Sequence, residues 1–347
     1  MATELFNQGP RVIGIRLSDV KPERVSWRSR GRFARGKLTI VDGDPGLGKS
    51  TMLLDLAAKV TRGEGLPDGD PSPERGVVIV APEDGIADTI RPRMDLLGAD
   101  CSHVMVVETT YGTEGERMIQ FPADVDVLEG VILAMDAGFV IIDSVDAVMG
   151  DGLKPNSSTD VRKAFLPLAR MAERTGATII LIRHLNKSGG TNALYRGTGS
   201  IAFIGIARFG LLVAEDPDDP AYRVLSQSKG NIGPPAESLR WRLVGDATSD
   251  HARVEWCGTS KYSSKHLLMN GSADDQESGP EEKDEAAGWL MSRLSGGSVP
   301  STQVFADAKR AGFGERSVKR AKVTLAVKAE KHGFGGDSKW VWRLPGT

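Results

Sequence analysis

From residue 37 onward, short and almost wholly apolar runs alternate with stretches of helical period. "KLTIVD" predicts a strand. "STMLLDLAAKVTRG" predicts a helix, because Leu53, Leu54, Ala57, Ala58 and Val60 recur at helical spacing and Gly63 ends it. "GVVIVAPEDG" is a continuous apolar run of the kind a parallel sheet buries on both faces. "IADTIRPRMDLLGAD" predicts a helix with Pro92 as a kink or first-turn residue. "HVMVVETT" predicts a strand, "ADVDVLEGVILAMDAG" a helix closed by Gly138, and "FVIIDS" another strand. "STDVRKAFLPLARMAERTG" predicts a helix capped by Ser158 or Asp160, and "ATIILIRH" a further strand. Strands alternating with helices imply an α/β fold with a mostly parallel sheet covered on both faces.

After about residue 208 the pattern changes. "RFGLLVAE", "YRVLSQSKG", "SLRWRLVG" and "ARVEWCGT" are separated by turn-rich pieces, a β-meander that extends the sheet. Hydrophobicity then drops in an acidic, Gly/Ser/Pro-bearing stretch. The expected division is a lead-in over 1–36, an α/β domain over 37–260, a linker over 261–284 and a small domain over 285–347. In the last, "DEAAGWLMSRL", "PSTQVFADAKRAGF" and "GERSVKRAKVTLAV" read as helices and "KAEKHGFGGDSKWVWRLP" as a hairpin. That order suits a winged helix-turn-helix. Trp340 and Trp342 alternate along the hairpin and point to its core.

Composition narrows the class. A chain of 347 residues with 40% hydrophobic and 26% charged residues is that of a soluble globular protein. The formal charge of −2 supplies no global pull toward nucleic acid or membrane. From residue 294 onward, however, ten Lys/Arg face four Asp/Glu. Cys101 and Cys257 lack metal-ligand spacing and read as reduced, buried, small apolar residues, which suits a cytoplasm. No apolar run approaches a membrane span.

Candidate chemistry concentrates at strand ends. "GDPGLGKST" fits the spacing of a loop that wraps a polyphosphate, after a strand and before a helix. The expected nucleotide contacts are Gly43, Asp44, Pro45, Gly46, Leu47, Gly48, Lys49, Ser50 and Thr51. The glycines let backbone amides approach phosphate oxygens, and Lys49 adds a full charge. Ser50 can give an oxygen to Mg²⁺, and Asp143, ending "FVIID", is the second metal anchor, through water. These residues imply ATP and Mg²⁺ as cofactors. Glu83 comes straight off its strand with the longer reach and is the expected base for an attacking water. Asp84 supports it or caps the next helix. The strand carrying both is expected beside the phosphate-loop strand. His184, at a further strand tip, is a donor that can sense the γ-phosphate.

Together, "LSDVKPERVSW", "GKLTIVDGDPGLGKST", "VVIVAPEDG", "FVIIDS", "RHLNKSGG", "YRGTGSIAF" and "LSQSKGNIGP" resemble the RecA-like ATPases of the plasmid RepA-type helicase family, relatives of the DnaB and RecA motor cores. The resemblance covers residues from about 15 to 260. It implies a RecA-like P-loop core, Glu83 as catalytic base, Asp143 as metal carboxylate and His184 as phosphate sensor. It also implies a homo-oligomeric ring, of hexamer type, in which a neighbour's basic side chain reaches the γ-phosphate. Arg208 and Lys229 are the candidates. The DnaB-like pattern of Lys and Arg two residues apart is broken here by Asn231, which favours Arg208. In the family the glycine-rich loop faces a central channel that holds single-stranded DNA, so Lys187, Tyr195 and Arg196 are expected DNA contacts. On the third C-terminal helix, Arg316, Lys319, Arg320 and Lys322 suit phosphate contact on duplex DNA. The function implied is a DNA helicase of plasmid, phage or mobile-element replication. A recombination or annealing ATPase and a nucleotide-gated DNA-binding regulator stand as alternatives.

Overall fold

The structure is a computed structural model. It describes residues 3–5, 12–112, 115–185, 202–247, 249–268, 280–313, 318, 321–322, 324–325, 327–332 and 339–345. The chain divides into two compact units, Met1–Gly271 and Ser272–Thr347.

The first unit is built on a nine-stranded sheet. Its strands in chain order are β1 (Leu38–Gly43), β2 (Gly76–Val80), β3 (Val104–Val107), β4 (Ala137–Ile142), β5 (Thr178–His184), β6 (Phe209–Asp216), β7 (Asp219–Gly230), β8 (Ser238–Gly245) and β9 (Ala252–Ser260). Across the sheet they run β9-β8-β7-β6-β1-β5-β4-β2-β3. The six strands from β6 to β3 are mutually parallel, and β7, β8 and β9 extend the sheet antiparallel. Among the described residues it is accompanied by α1 (Lys49–Thr61), α2 (Arg91–Leu96), α3 (Val125–Ala134), α4 (Ser158–Thr175), α5 (Ala202–Ile206) and a short helical stretch over residues 264–268.

Strand alternation sorts the apolar side chains into two layers. Leu38 and Ile40 of β1, with Val140 and Ile142 of β4, join Leu128 of α3 and Phe165 and Leu168 of α4. Val41, Phe139 and Ile141 join Met52, Leu53 and Leu56 of α1 on the other side. With both faces covered, the central strands are buried along almost their whole length and are mostly apolar, as in other parallel sheets. Residues 27–34 form a short hairpin, Trp27–Ser29 with Phe33–Ala34, and Phe33 is buried in the α1 layer.

Several local expectations are corrected. The helix over 125–134 stops well before Gly138, which lies inside β4. A side chain there would strike the buried Arg28 guanidinium, so the glycine makes room rather than a cap. The chain leaves α3 through Asp136, at φ 46°. The cap of α4 is Ser157, whose hydroxyl accepts from the Asp160 amide at 3.2 Å, in place of Ser158 or Asp160. Residues 86–96 open with a π-helical turn, Ile86–Ile90, before α2, and Pro92 sits in the first α-turn, where its missing N–H is harmless. β2 is not beside β1, because β5 and β4 stand between them. β5, which takes one of the two adjacent places, carries a countercharge for β1. Cys101 and Cys257 are free but only half-buried. Each lies where its thiol still reaches an oxygen, of Asp95 and Glu255 respectively.

That countercharge is Arg183. Asp42 is buried inside β1, and Arg183 Nε and Nη2 donate to its two oxygens at 2.7 and 2.9 Å from the facing position of β5. Burial pushes the Asp42 carboxyl up from its ordinary range, while Arg183 and, more weakly, Lys49 pull it down.

In the second unit, α6 (Pro280–Leu294) and α7 (Ser301–Arg310) pack on a three-stranded sheet in the order Val299–Pro300, Lys339–Arg343, Lys328–His332. Its core includes Leu290, Leu294, Val304, Val318 and Trp342, with Phe305 edge-on to Trp342 at 5.2 Å. α6 begins inside the stretch that composition marks as linker. Among the described residues no helix is long and apolar enough to cross a membrane.

Removing one partner of a fully buried ion pair strands the other charge. Arg183→Met alone is therefore expected to lower unfolding free energy by about 3–5 kcal/mol. The double variant Asp42→Asn/Arg183→Met should recover most of that loss. Urea unfolding of both variants checks it, and a double variant no better than the single one refutes it.

Candidate functional site

β1 ends at Gly43, and the turn of residues 44–48 leads straight into α1 at Lys49. Gly46 and Gly48 take φ of 81° and 84°, a left-handed conformation that other residues adopt at a cost. A side chain on Gly46 would point into open space. One on Gly48 would come within 2.9 Å of Leu243, with Trp241 close behind, so this glycine lets the loop lie against β8. The loop amides thus open at the N-terminus of α1, where a helix favours an anion. Among its side chains, Asp44 Oδ1 is buried without a hydrogen-bond partner, Leu47 is buried and Pro45 is exposed. Thr51 follows on the first turn of α1, half-buried.

Lys49 lies under the loop. Its ammonium donates to the Gly43 and Asp44 carbonyls at 2.8 and 2.9 Å and sits 3.2 Å from His184 Nδ1. Burial lowers its pKa, and the Asp143, Asp44 and Asp42 charges oppose that shift. His184 reaches it because β5 pairs with β1 in a register that sets His184 beside Gly43.

At the next residue, Ser50 Oγ donates to Asp143 Oδ2 at 2.5 Å. Burial raises the Asp143 carboxyl, the Ser50 hydrogen bond works against the rise, and the Asp84 charge adds to it. Ser50, Asp84 and Asp143 line one small cavity with Leu54, Ile79 and Ile141. A hydroxyl and a half-buried carboxylate within hydrogen-bond range are hard oxygen donors of the kind Mg²⁺ takes while keeping waters and phosphate oxygens. The open side of Gly46 likewise leaves room for a ligand above the loop. Glu83 and Asp84 part company here. Asp84 faces this cavity and is 3.7 Å from Arg93, whereas Glu83 is exposed at the tip of β2.

The trans candidates lie elsewhere. The Arg208 amide donates to the Leu38 carbonyl at 3.0 Å, at the start of β1 and so at the opposite end of that strand from the loop. Lys229 is committed: its ammonium donates to the Ile204 carbonyl and, at 2.8 Å, to the Ala207 carbonyl. Burial lowers its pKa, and Arg208 adds to the shift. Lys187, Tyr195, Arg196, Arg316, Lys319 and Arg320 lie outside the described residues. Sequence reasoning passes over Arg183, although a guanidinium inside the apolar run "ATIILIRH" is a signal that some buried acid awaits it.

Comparison with known proteins places this geometry. The family model described as AAA domain matches residues 11–190, more than half of the chain, and takes in the phosphate loop, Asp143 and His184. The DNA repair protein RadA of Halalkalibacterium halodurans is 30% identical over 161 residues, 46% of this chain and 30% of that protein. RadA of Brucella abortus is 29% identical over 219 residues, 60% of this chain and 39% of that protein. The chain therefore matches well under half the length of these relatives. A KaiC-like protein of Pyrococcus horikoshii OT3 aligns with 67% of this chain and 100% of its own at 17% identity and a TM-score of 0.47, too loose a likeness to bear on function. On the family match and the loop that lies within it, the chain belongs to the AAA domain family and is a RecA-like P-loop ATPase, which uses ATP with Mg²⁺.

Proposed function

We propose that this chain is an ATP-hydrolysing, DNA-binding motor that assembles into a ring, of hexamer type, and acts as a DNA helicase in the replication of a plasmid, phage or mobile element. The observation that carries the motor reading is the convergence of Lys49, Ser50, Asp143 and His184 at one end of β1, β4 and β5. The DNA part is supported by the name of the relatives, a DNA repair protein.

In this reading the loop amides and Lys49 bind the triphosphate, Lys49 exchanging the Gly43 and Asp44 carbonyls for phosphate oxygens. Ser50 and Asp143 would hold the metal, Asp143 through water. Mg²⁺, when bound, supplies neutralisation of phosphate charge. Glu83, exposed at the tip of β2, takes the proton of the attacking water. Asp84, beside Arg93, holds the turn that presents Glu83. His184 senses the γ-phosphate through its place beside Lys49 and relays it into residues 186–201. There Lys187, Tyr195 and Arg196 contact single-stranded DNA. Arg208 acts on the nucleotide of a neighbouring copy. The C-terminal unit serves as a winged helix-turn-helix, and Arg316, Lys319 and Arg320 meet duplex phosphates.

A second reading is a recombination or annealing ATPase that turns over ATP on DNA without separating strands. The repair function in the relatives' name favours it.

Lys49→Ala is expected to abolish nucleotide binding, read by equilibrium titration with a fluorescent ATP analogue. Glu83→Gln should keep binding and lose turnover by about 10²-fold or more, whereas Asp84→Asn should lose less. The reverse ranking moves the base to Asp84. Single-stranded DNA should stimulate wild-type turnover. Displacement of a strand from a forked duplex then supports the helicase, and stimulation without displacement supports the second reading. Deleting residues 285–347 should flatten the salt dependence of duplex binding, and an unchanged slope assigns that unit to protein contacts.

A further inference from the structure

A second charged cavity lies far from the phosphate loop. It is about 390 Å³ in volume and is lined by Lys37, Arg162, Leu166, Arg170, Glu173 and Arg208, among others. Arg162, Leu166, Arg170 and Glu173 recur every three or four residues, so α4 turns one face into it. Four cations meet one carboxylate, and that carboxylate is taken: Lys37 Nζ donates to Glu173 Oε1 at 2.8 Å. Among the described residues Arg162, Arg170 and Arg208 have no ion-pair partner. Three unpaired guanidiniums facing one space repel one another, and the arrangement suits an anion bearing several oxygens.

The position of the cavity decides whose anion it takes. Arg208 is tied to Leu38 at the first residue of β1, and the phosphate loop starts at the last, Gly43. Five steps of about 3.3 Å put the two ends roughly 17 Å apart, beyond the reach of any arginine side chain. The cavity therefore cannot touch the chain's own nucleotide. A surface that complements a different surface of the same molecule makes a head-to-tail contact. Lys229 supports the role of the cavity from behind. By holding the Ile204 and Ala207 carbonyls it fixes the turn from which Arg208 emerges.

We propose that this cavity is the receptor for the triphosphate bound on the next copy of the chain, with Arg162 and Arg170 as phosphate-binding residues beside Arg208. The proposal rests on the motor reading above and names two residues that complete its shared site.

The test uses full-length protein without DNA. Arg162→Ala/Arg170→Ala changes two exposed side chains, so its unfolding midpoint should match wild type and its own loop should still bind the fluorescent ATP analogue. Its turnover should fall about tenfold or more. Arg162→Lys/Arg170→Lys should recover part of the loss. Subunits carrying Lys49→Ala are inactive alone but keep the cavity. Mixed equally with the double alanine variant, they should restore turnover, because random head-to-tail assembly makes about one interface in four intact. Unchanged DNA-free turnover in the double variant overturns the proposal, as does lost turnover that the Lys49→Ala subunits do not rescue. Weakened single-stranded DNA binding with normal DNA-free turnover also overturns it and assigns the arginines to DNA. A wild-type protein without ATP turnover would instead sink the motor reading itself.

Discussion

The parallel register of β1 against β5 is the constraint on which the site depends. It sets Asp42 opposite Arg183 and Gly43 opposite His184. The first pairing neutralises a carboxylate buried in the middle of the sheet, and the second delivers an imidazole to the lysine of the phosphate loop. A shift of one residue would turn Arg183 toward the opposite face and leave Asp42 buried and alone. The ion pair and the nucleotide site are thus locked to one alignment, which explains a costly charge inside an otherwise apolar strand.

The site rests with its charges damped. Burial drives Lys49 down and Asp143 up, so both groups lean toward neutrality. Lys49 spends its hydrogens on two backbone carbonyls and Asp143 accepts one from Ser50. These contacts are replaceable by a polyanion and a divalent cation, which supply the opposite charges that burial withholds. The glycine conformations and the helix terminus that such a ligand needs are already in place.

Much of this was legible in the order of residues, and the failures have physical causes. Periodicity located each central strand and helix because both faces of the sheet are buried, which leaves long apolar runs. It could not place Gly138, because a glycine that makes room for Arg28 looks the same in sequence as one that stops a helix. It could not order the strands, since adjacency in the sheet is a long-range property that the local pattern does not carry. It chose Ser158 or Asp160 over Ser157, a one-residue difference that depends on where the backbone first turns helical. The motif named Lys49 and Ser50, but the side of the strand tip on which Glu83 and Asp84 fall became visible only with the fold. The basic cavity was invisible because Lys37, Arg162, Arg170 and Arg208 are scattered over α4 and the residues just before β1 and β6.

Placing the phosphate loop and Arg208 at opposite ends of one strand also bears on arithmetic and symmetry. Two copies related by a twofold axis would bury the same end twice and satisfy neither feature. An open row always keeps a spare loop at one terminus and a spare cavity at the other. Only closure into a circle leaves no idle half-site, so in such an assembly the last subunit to join would gain twice what each earlier one gained.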